Sequence, residues 1–129
     1  EQAVQLLGPE NMAENIELVL HAMDTFVAKG HIKEASKYID LVVNAAIENQ
    51  NPRCVEKAYY FKGLLLAEHG HFNMAETYLS VSLDMLLKRG KTQELARRYH
   101  DLAEVYYKMD KKEEAIRYFA LSTQIEGHI

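Results

Sequence analysis

The stretch YHDLAEVYYKMDKKEEAIRYF, residues 99–119, carries apolar side chains at helical spacing on both sides of a turn at Asp110. Intervals of three or four residues bring such side chains to one face of a helix. Aspartate can cap the start of a helix, so the second segment is expected to begin just after the turn. The apolar positions are Tyr99, Leu102, Ala103 and Tyr106 before the turn and Ala115 and Phe119 after it. The stretch therefore predicts two antiparallel helices joined by a tight turn.

The same arrangement recurs with a period of 40 residues towards the N-terminus. Gly30 and Gly70 stand where Asp110 stands in the last copy, and glycine can take the left-handed conformation that ends a helix. The matching columns after the turn are Ala35, Ala75 and Ala115, then Tyr38, Tyr78 and Tyr118, then Ile39, Leu79 and Phe119. Repetition at a fixed period is typical of helical repeat proteins. We predict an all-α fold of three helix pairs, at about residues 12–49, 52–89 and 92–126, within one domain that spans residues 1–129.

These residues resemble the tetratricopeptide repeat. Its first helix carries a large aromatic residue, leucine followed by a small residue, and then tyrosine, and its second carries alanine followed four residues later by phenylalanine. The third copy fits at each of these places if Tyr99 substitutes for tryptophan. The second copy keeps Gly63 but has Lys62 and Leu66 at two signature places, and the first copy is the weakest match. The resemblance covers about residues 12–126 and implies a right-handed α-solenoid of three antiparallel helix pairs.

Small residues mark the predicted contacts within each pair, because they let two helices approach closely. Gly63 is expected to lie across from Ala75, and Ala103 across from Ala115. Met23 is a large residue at the equivalent place of the first pair, so that pair is expected to be splayed wider or packed against another segment. The residues predicted to serve this repeat packing are Ala35, Gly63, Ala75, Ala103 and Ala115.

Composition narrows the class of partner. The 15 basic and 19 acidic residues give a net charge of -4, which lacks the concentrated positive field that a nucleic acid backbone requires. No apolar run approaches the roughly 18 to 20 residues that cross a bilayer, and one cysteine cannot form an internal disulfide, so we predict no membrane contact and a cytoplasmic location. The chain begins with Glu1, and residues 3–7 resemble the end of a helix, so we expect it to be part of a longer protein.

Stacked helix pairs place their first helices along one concave face, which forms a groove from side chains not needed for the core. We predict that a protein or peptide binds there. Tyr60, Phe61 and Leu64 would form an apolar patch, while Arg97 and Lys57 would hold a carboxylate or backbone carbonyls. Both groove and core remain open for Phe61, and the groove is favoured for Tyr60 and Arg97. The predicted groove residues are His21, Asp24, Lys57, Tyr60, Phe61, Leu64, Arg97, His100, Asp101, Glu104, Tyr107 and Lys108.

Two subfamilies allow more specific comparisons. Tetratricopeptide domains that bind the acidic C-termini of heat-shock chaperones use lysines, asparagines and an arginine along the groove. Here the corresponding places hold Leu20, Asp24, Phe61, Arg97 and Asp101, so only the arginine fits. The chain is also similar to peptide-sensing regulators of Gram-positive bacteria, although their groove asparagines are not evident. The leading interpretation is a non-catalytic adaptor or regulatory module; the alternative is a peptide-sensing, homodimerising domain of a bacterial transcription regulator or phosphatase-type regulator.

Residues with possible chemistry are few. His100 and Glu104, and likewise His21 and Asp24, have spacings that can bind a metal, but such pairs are common on polar helix faces. Cys54 precedes a helix, which can lower a thiol pKa, but no base or oxyanion site is apparent beside it. No phosphate-binding glycine loop or nucleophile motif is present. We predict no enzymatic activity, no metal and no cofactor.

The last helix suggests a possible contact between two copies of the chain. No further helix follows to cover its outer edge, whereas the ends of solenoids normally carry a polar cap. Either Ser122, Thr123 and Gln124 make that helix its own polar cap, or a second copy of the chain covers it and the chain is a homodimer. The residues predicted for it are Ile116, Leu121 and Ile125.

Overall fold

The computed structural model describes residues 12–90 and 92–127, and within them the fold is all-α, as predicted. Residues 1–11, which include the expected helix end at 3–7, lie outside the described residues. The helices are α1 (Ile16–Ala28), α2 (Ile32–Asn49), α3 (Pro52–Glu68), α4 (Phe72–Arg89), α5 (Thr92–Lys108) and α6 (Lys112–Gly127). They form three consecutive antiparallel pairs, α1 with α2, α3 with α4, and α5 with α6, and successive pairs pack on each other.

The three tight turns share one backbone conformation. Gly30 and Gly70 have φ angles of +77° and +80°, in the left-handed region that ends a helix. Asp110 takes the same conformation with a φ of +62°, so it ends α5 rather than simply preceding α6. In each turn the amide of the next residue donates to the carbonyl five residues earlier, as His31 N does to Phe26 O at 2.8 Å. This repeated hydrogen bond explains why the pairs recur with a constant geometry.

The loop between the first two pairs is set by its capping residues. Pro52 occupies the first turn of α3, where the missing amide hydrogen has no cost. The Asn51 side chain accepts a hydrogen bond from the Arg53 amide at 3.0 Å. At the opposite end of the second pair, Gly90 ends α4 with a φ of +71°. Capping and terminating residues in the sequence therefore determine where these helices begin and end.

The small residues predicted to pack the repeats are buried. Ala35, Ala75, Ala103 and Ala115 are each at most 2% exposed, and Gly63 is also buried. The nearest atoms to a Cβ added at Gly63 belong to Leu79, one helical turn after Ala75, with Leu79 Cγ at 2.7 Å. Close approach between α3 and α4 thus depends on glycine fitting beneath a leucine side chain.

The first pair is the least extensively packed of the three. Met23 takes the place that Gly63 and Ala103 fill in the other pairs, and its side chain is completely buried. Methionine is bulkier than glycine or alanine at this place, and α1 is also shorter, with 13 residues against 17 in α3 and α5.

Candidate functional site

The first helices of all three pairs line one open depression, which we call the central groove. α1 contributes Val27, α3 contributes Lys57 and Leu64, and α5 contributes Glu94 and Arg97. A second depression continues along the same helices towards Glu104 and Lys108, and a third continues in the other direction towards Glu17 and His21. The structure therefore has a continuous run of open surface where the sequence predicts a groove.

Most of the polar residues predicted for this surface do lie on it. Exposed side chains that line one of these depressions are His21, Asp24, Lys57, Arg97, Glu104 and Lys108. Tyr107 is 62% exposed but does not line them. His100 is half-buried and lies in a separate depression between α5 and α6, where its ring contacts Phe119 edge-on at 5.4 Å between centroids.

Two of the three residues predicted to form an exposed apolar patch are buried in the structure. Phe61 is only 1% exposed and Tyr60 only 7%, so both belong to the core and the expectation of an exposed Tyr60 is wrong. The reason is that both rings pack in the hydrophobic core, although both residues still line the floor of the central groove. Leu64 is half-buried at the same floor. The floor of the central groove is consequently formed by packed apolar side chains, and no aromatic side chain of this patch protrudes from it.

A buried polar cluster beneath the groove escaped the sequence analysis. Glu56, Ser82 and Arg98 are each at most 4% exposed. Glu56 accepts hydrogen bonds from the hydroxyl of Ser82 and from Arg98 Nε, the latter at 2.9 Å, and Arg98 Nη2 lies 2.8 Å from the same carboxylate. Because these residues belong to α3, α4 and α5, the cluster ties the second pair to the third.

The same cluster extends to the groove surface through Tyr60. The Arg98 guanidinium lies 3.6 Å from the centroid of the Tyr60 ring, in a cation–π contact. The Tyr60 hydroxyl donates to Asp101 Oδ2 at 2.5 Å, and burial together with that carboxylate raises the pKa of the phenol. Asp101 Oδ2 also lies 3.5 Å from Nε of the exposed Arg97, and this carboxylate raises the pKa of the guanidinium. Asp101 thus holds Arg97 at the rim of the groove.

A sequence signal for this cluster exists in the helical period. Arg98 falls on the same face as Leu95 and Leu102, and Glu56 falls on the same face as Tyr60 and Gly63. A charged residue within an apolar stripe is buried only when it has a partner of opposite charge. The two interrupted stripes together therefore point to an ion pair between them.

The donor atoms on α5 that resemble a metal site are close together but have protein partners. One atom each from His100, Asp101 and Glu104 lies within 4.8 Å of the others. His100 Nδ1 is 3.1 Å from Glu104 Oε1, and Asp101 is engaged by Tyr60 and Arg97. Contacts within the chain therefore engage each of the three side chains.

The surroundings of Cys54 disfavour the thiolate, whereas those of a reactive cysteine favour it. Its side chain is buried, and burial followed by the nearby Glu17 carboxylate raises its pKa above the ordinary value of 9.0. The possible lowering of its pKa by a helix N-terminus is therefore outweighed, and the thiol remains protonated near neutral pH.

Comparison with known sequences gives one match to a family model. Residues 96–128 match the model of the tetratricopeptide repeat, which is the copy that fits the pattern best. No curated protein matches the chain in sequence. None of the described helices combines the length and the apolar character needed to span a membrane.

Solved structures show the same fold at low sequence identity. The tetratricopeptide domain of Arabidopsis FLU superposes with a TM-score of 0.77 and 17% identity, over 90% of this chain and 98% of that one. BtubC (BKLC) from P. vanneervenii superposes with a TM-score of 0.69 and 18% identity, over 97% of this chain and 52% of that one. These structures show that the chain has the fold of a tetratricopeptide domain, and residues 96–128 match the model of the tetratricopeptide repeat itself.

Proposed function

We propose that the chain is a non-catalytic module that binds a protein or peptide in its central groove and acts as an adaptor or regulatory domain. The observation that carries the proposal is the composition of the groove: a half-buried apolar floor at Val27 and Leu64 lies beside the exposed cations Lys57 and Arg97. An apolar floor can receive a hydrophobic side chain, and the cations can bind carboxylates or backbone carbonyls.

The position of Arg97 supports this use. Its side chain is 71% exposed, and its Nε atom lies 3.5 Å from Asp101 Oδ2. Asp101 is itself held by Tyr60 in the buried cluster. A ligand would therefore meet a cation whose orientation is already restricted, which lowers the entropy lost on binding.

The proposal is tested by affinity capture from the lysate of the source cell. One bait carries Lys57→Glu and Arg97→Glu, and a matched control carries Lys33→Glu and Arg117→Glu, at exposed residues on α2 and α6. Both double variants change the net charge equally, and circular dichroism checks that each is folded.

We expect the wild type and the control to retain the same polypeptide and the groove variant to lose it. A partner that binds all three baits equally would place the interaction elsewhere on the chain and contradict the proposal. Cytoplasmic location belongs to the same proposal, since an unpaired cysteine suits a reducing compartment.

A second candidate function is that of a homodimeric, peptide-sensing regulatory domain. It is favoured by Ile116, which is 69% exposed on α6, whereas Leu121 and Ile125 are partly buried there. Sedimentation velocity should show a dimer in the wild type and a monomer in Ile116→Asp. A wild-type monomer at all concentrations would remove this candidate.

A further inference from the structure

An open depression lies between α5 and α6 at the C-terminal end of the solenoid, and we call it the end pocket. Three of the residues that line it are Ala96 and His100 of α5 and Ser122 of α6. Among the described residues no helix pair follows α6. The end pocket is therefore open on the side where, in the first two pairs, the next pair packs.

The same place in the second pair is filled by a side chain of the third pair. The residues that stand 40 positions before Ala96, His100 and Ser122 are Glu56, Tyr60 and Ser82. Arg98 of α5 is bonded to Glu56 and Ser82, and its guanidinium lies 3.6 Å from the centroid of the Tyr60 ring. A junction side chain from the following pair thus occupies this place.

The first junction has the same arrangement with apolar side chains. The corresponding residues of the first pair are all buried, and they are Ile16, Leu20 and Val42. Ala58 of α3 stands 40 positions before Arg98 and is completely buried. Leu18 of α1 stands 40 positions before Ala58, but its side chain is 52% exposed. A junction side chain is therefore exposed at the N-terminal end of the solenoid, while a junction pocket is open at the C-terminal end.

A second matching position lies on the last helix of each pair. Ser36 of α2 is hydrogen-bonded to His69 of α3 at 3.0 Å across the first junction. Across the second junction, burial and then the carboxylate of Glu76 in α4 raise the pKa of Tyr106 in α5. The third pair has Ile116 at this position, 69% exposed and the most exposed of the large apolar side chains in the described part of the chain. Ile116 therefore presents apolar surface where the other pairs contact their successor.

Charges at the two ends are complementary in the same register. Glu94 of α5 and Lys57 of α3 line the central groove together at the second junction. The residue that corresponds to Glu94 in the first pair is the exposed Glu14, and the residue that corresponds to Lys57 in the third pair is Arg97. Arg97 also lines the end pocket. An acidic side chain at the N-terminal end would thus face a cation at the C-terminal end.

We propose that the C-terminal face of one copy, formed by the end pocket and Ile116, binds α1 of a second copy. Leu18 of the second copy enters the end pocket in the place that Arg98 takes at the second junction. The contact joins two different surfaces, so each complex keeps one free face at either end and further copies can add. It goes beyond the proposed function, does not depend on peptide binding, and differs from a symmetric homodimer through α6.

The polarity of the ends sets the expected strength of the contact. Thr123 and Glu126 of α6 are exposed and stand where the second pair has the buried Leu83 and Leu86. Less apolar surface is therefore buried between two copies than between neighbouring pairs of one chain. The association should be reversible and should depend on protein concentration.

The test is sedimentation velocity from about 10 µM to about 1 mM, the range in which weak complexes form. The variants are Leu18→Asp, Ile116→Asp and the control Met74→Asp, which changes an apolar residue of α4 that is also 52% exposed. The wild type and the control should both exceed the mass of a dimer at the highest concentrations. Leu18→Asp and Ile116→Asp should each remain monomeric, and circular dichroism checks that each is folded.

Mixing the two end variants gives the decisive result. Leu18→Asp keeps an intact C-terminal face and Ile116→Asp keeps an intact N-terminal face, so an equimolar mixture should form a 1:1 complex and nothing larger. A mixture that stays monomeric would overturn the proposal.

The remaining outcomes would also overturn it. A wild-type dimer that Leu18→Asp leaves unchanged and Ile116→Asp abolishes would show a symmetric contact through α6. A wild type that is monomeric at every concentration would exclude contact between copies. If the chain associated only after residues 1–11 were removed, the exposed face of α1 would be assigned to that segment instead of a second copy.

Discussion

The junction between the first and second helix pairs buries apolar side chains, whereas the junction between the second and third pairs also buries charged ones. At the first junction, apolar side chains such as Leu20 of α1 and Cys54 of α3 are buried, and the pair of Glu17 with Arg53 lies at the surface. No charged side chain among described residues 12–49 is buried. At the second junction, Glu56 and Arg98 lie within the core.

The buried charges should fix the relative position of two helix pairs more specifically than apolar packing does. Apolar packing is non-directional and tolerates sliding, whereas a buried ion pair is stable only when its donors and acceptors meet. The second junction also carries Arg97, through Tyr60 and Asp101. We therefore expect the Arg97 end of the groove to be more rigidly held than the end at α1.

The largest effect is expected from breaking the buried pair. Arg98→Met leaves Glu56 buried without a counter-charge and should lower the free energy of unfolding by about 3–5 kcal/mol. Arg53→Met removes an exposed pair at the first junction and should cost no more than about 1 kcal/mol. Urea unfolding at neutral pH measures both. Similar losses in the two variants would contradict the distinction between the junctions.

Replacing both charges sharpens the same point. Glu56→Leu combined with Arg98→Met removes the desolvation cost along with the attraction, and such replacements are often neutral or stabilising. The double variant should therefore recover most of the stability lost in Arg98→Met alone. A double variant as unstable as the single would mean that Arg98 acts through packing rather than charge.

Within the first pair, a loss of about 2–5 kcal/mol is expected for Met23→Ala, because the side chain is completely buried and its removal leaves a cavity. Met23→Leu, which conserves volume, should cost less than about 1.5 kcal/mol. Urea unfolding again gives the values. If the alanine variant lost no more than the leucine variant, the methionine would not be filling the space between α1 and α2.

Tyr60→Phe removes the hydroxyl that binds Asp101 and should cost about 1–3 kcal/mol. The raised pKa of Tyr60 means that the folded state disfavours the phenolate. The contribution of the protonated Tyr60 phenol to the free energy of unfolding is therefore complete below the ordinary tyrosine pKa of 10.0. This contribution is lost as the pH rises beyond that value. Stability measured across this range should fall less steeply in Tyr60→Phe. An unchanged slope would assign the alkaline loss to Tyr99 and Tyr106, whose pKa values are also raised.

The smallest effect is expected for Gly63→Ala. Alanine gains about 1 kcal/mol of helix propensity, but its Cβ would lie 2.7 Å from Leu79 Cγ, and overpacking costs about 1–3 kcal/mol. The net loss should be about 1 kcal/mol. In a Leu79→Ala background the same change should become stabilising, because the clash is absent. A loss in both backgrounds would show that the backbone contact to the Leu79 amide, at 3.3 Å, decides the outcome.

The fold follows from the sequence because its signals are local and repeated. The turns at Gly30, Gly70 and Asp110 need only backbone conformation, and the helix faces need only periodicity. The depth of Tyr60 and Phe61 in the core could not be predicted in this way, since it depends on how closely neighbouring pairs stack.

The buried cluster was missed for a related reason. Glu56 and Arg98 are 42 residues apart and belong to different helices, so no local pattern pairs them. The interruption of two apolar stripes by opposite charges is a sign of the pair, but only after α3 and α5 are known to be neighbours. The exposed groove residues Lys57 and Arg97 were predictable because they fall outside those stripes.

The most direct test of the account is to map where a polypeptide binds. Amide chemical shifts of the ¹⁵N-labelled chain would be followed during titration with a captured or library-selected peptide. Groove binding predicts the largest changes at the facing residues of α1, α3 and α5, notably Ala28, Leu64 and Arg97, with α2 and the exposed face of α6 little affected. Changes centred on Ile116, or spread over α2, would contradict the groove as the binding site.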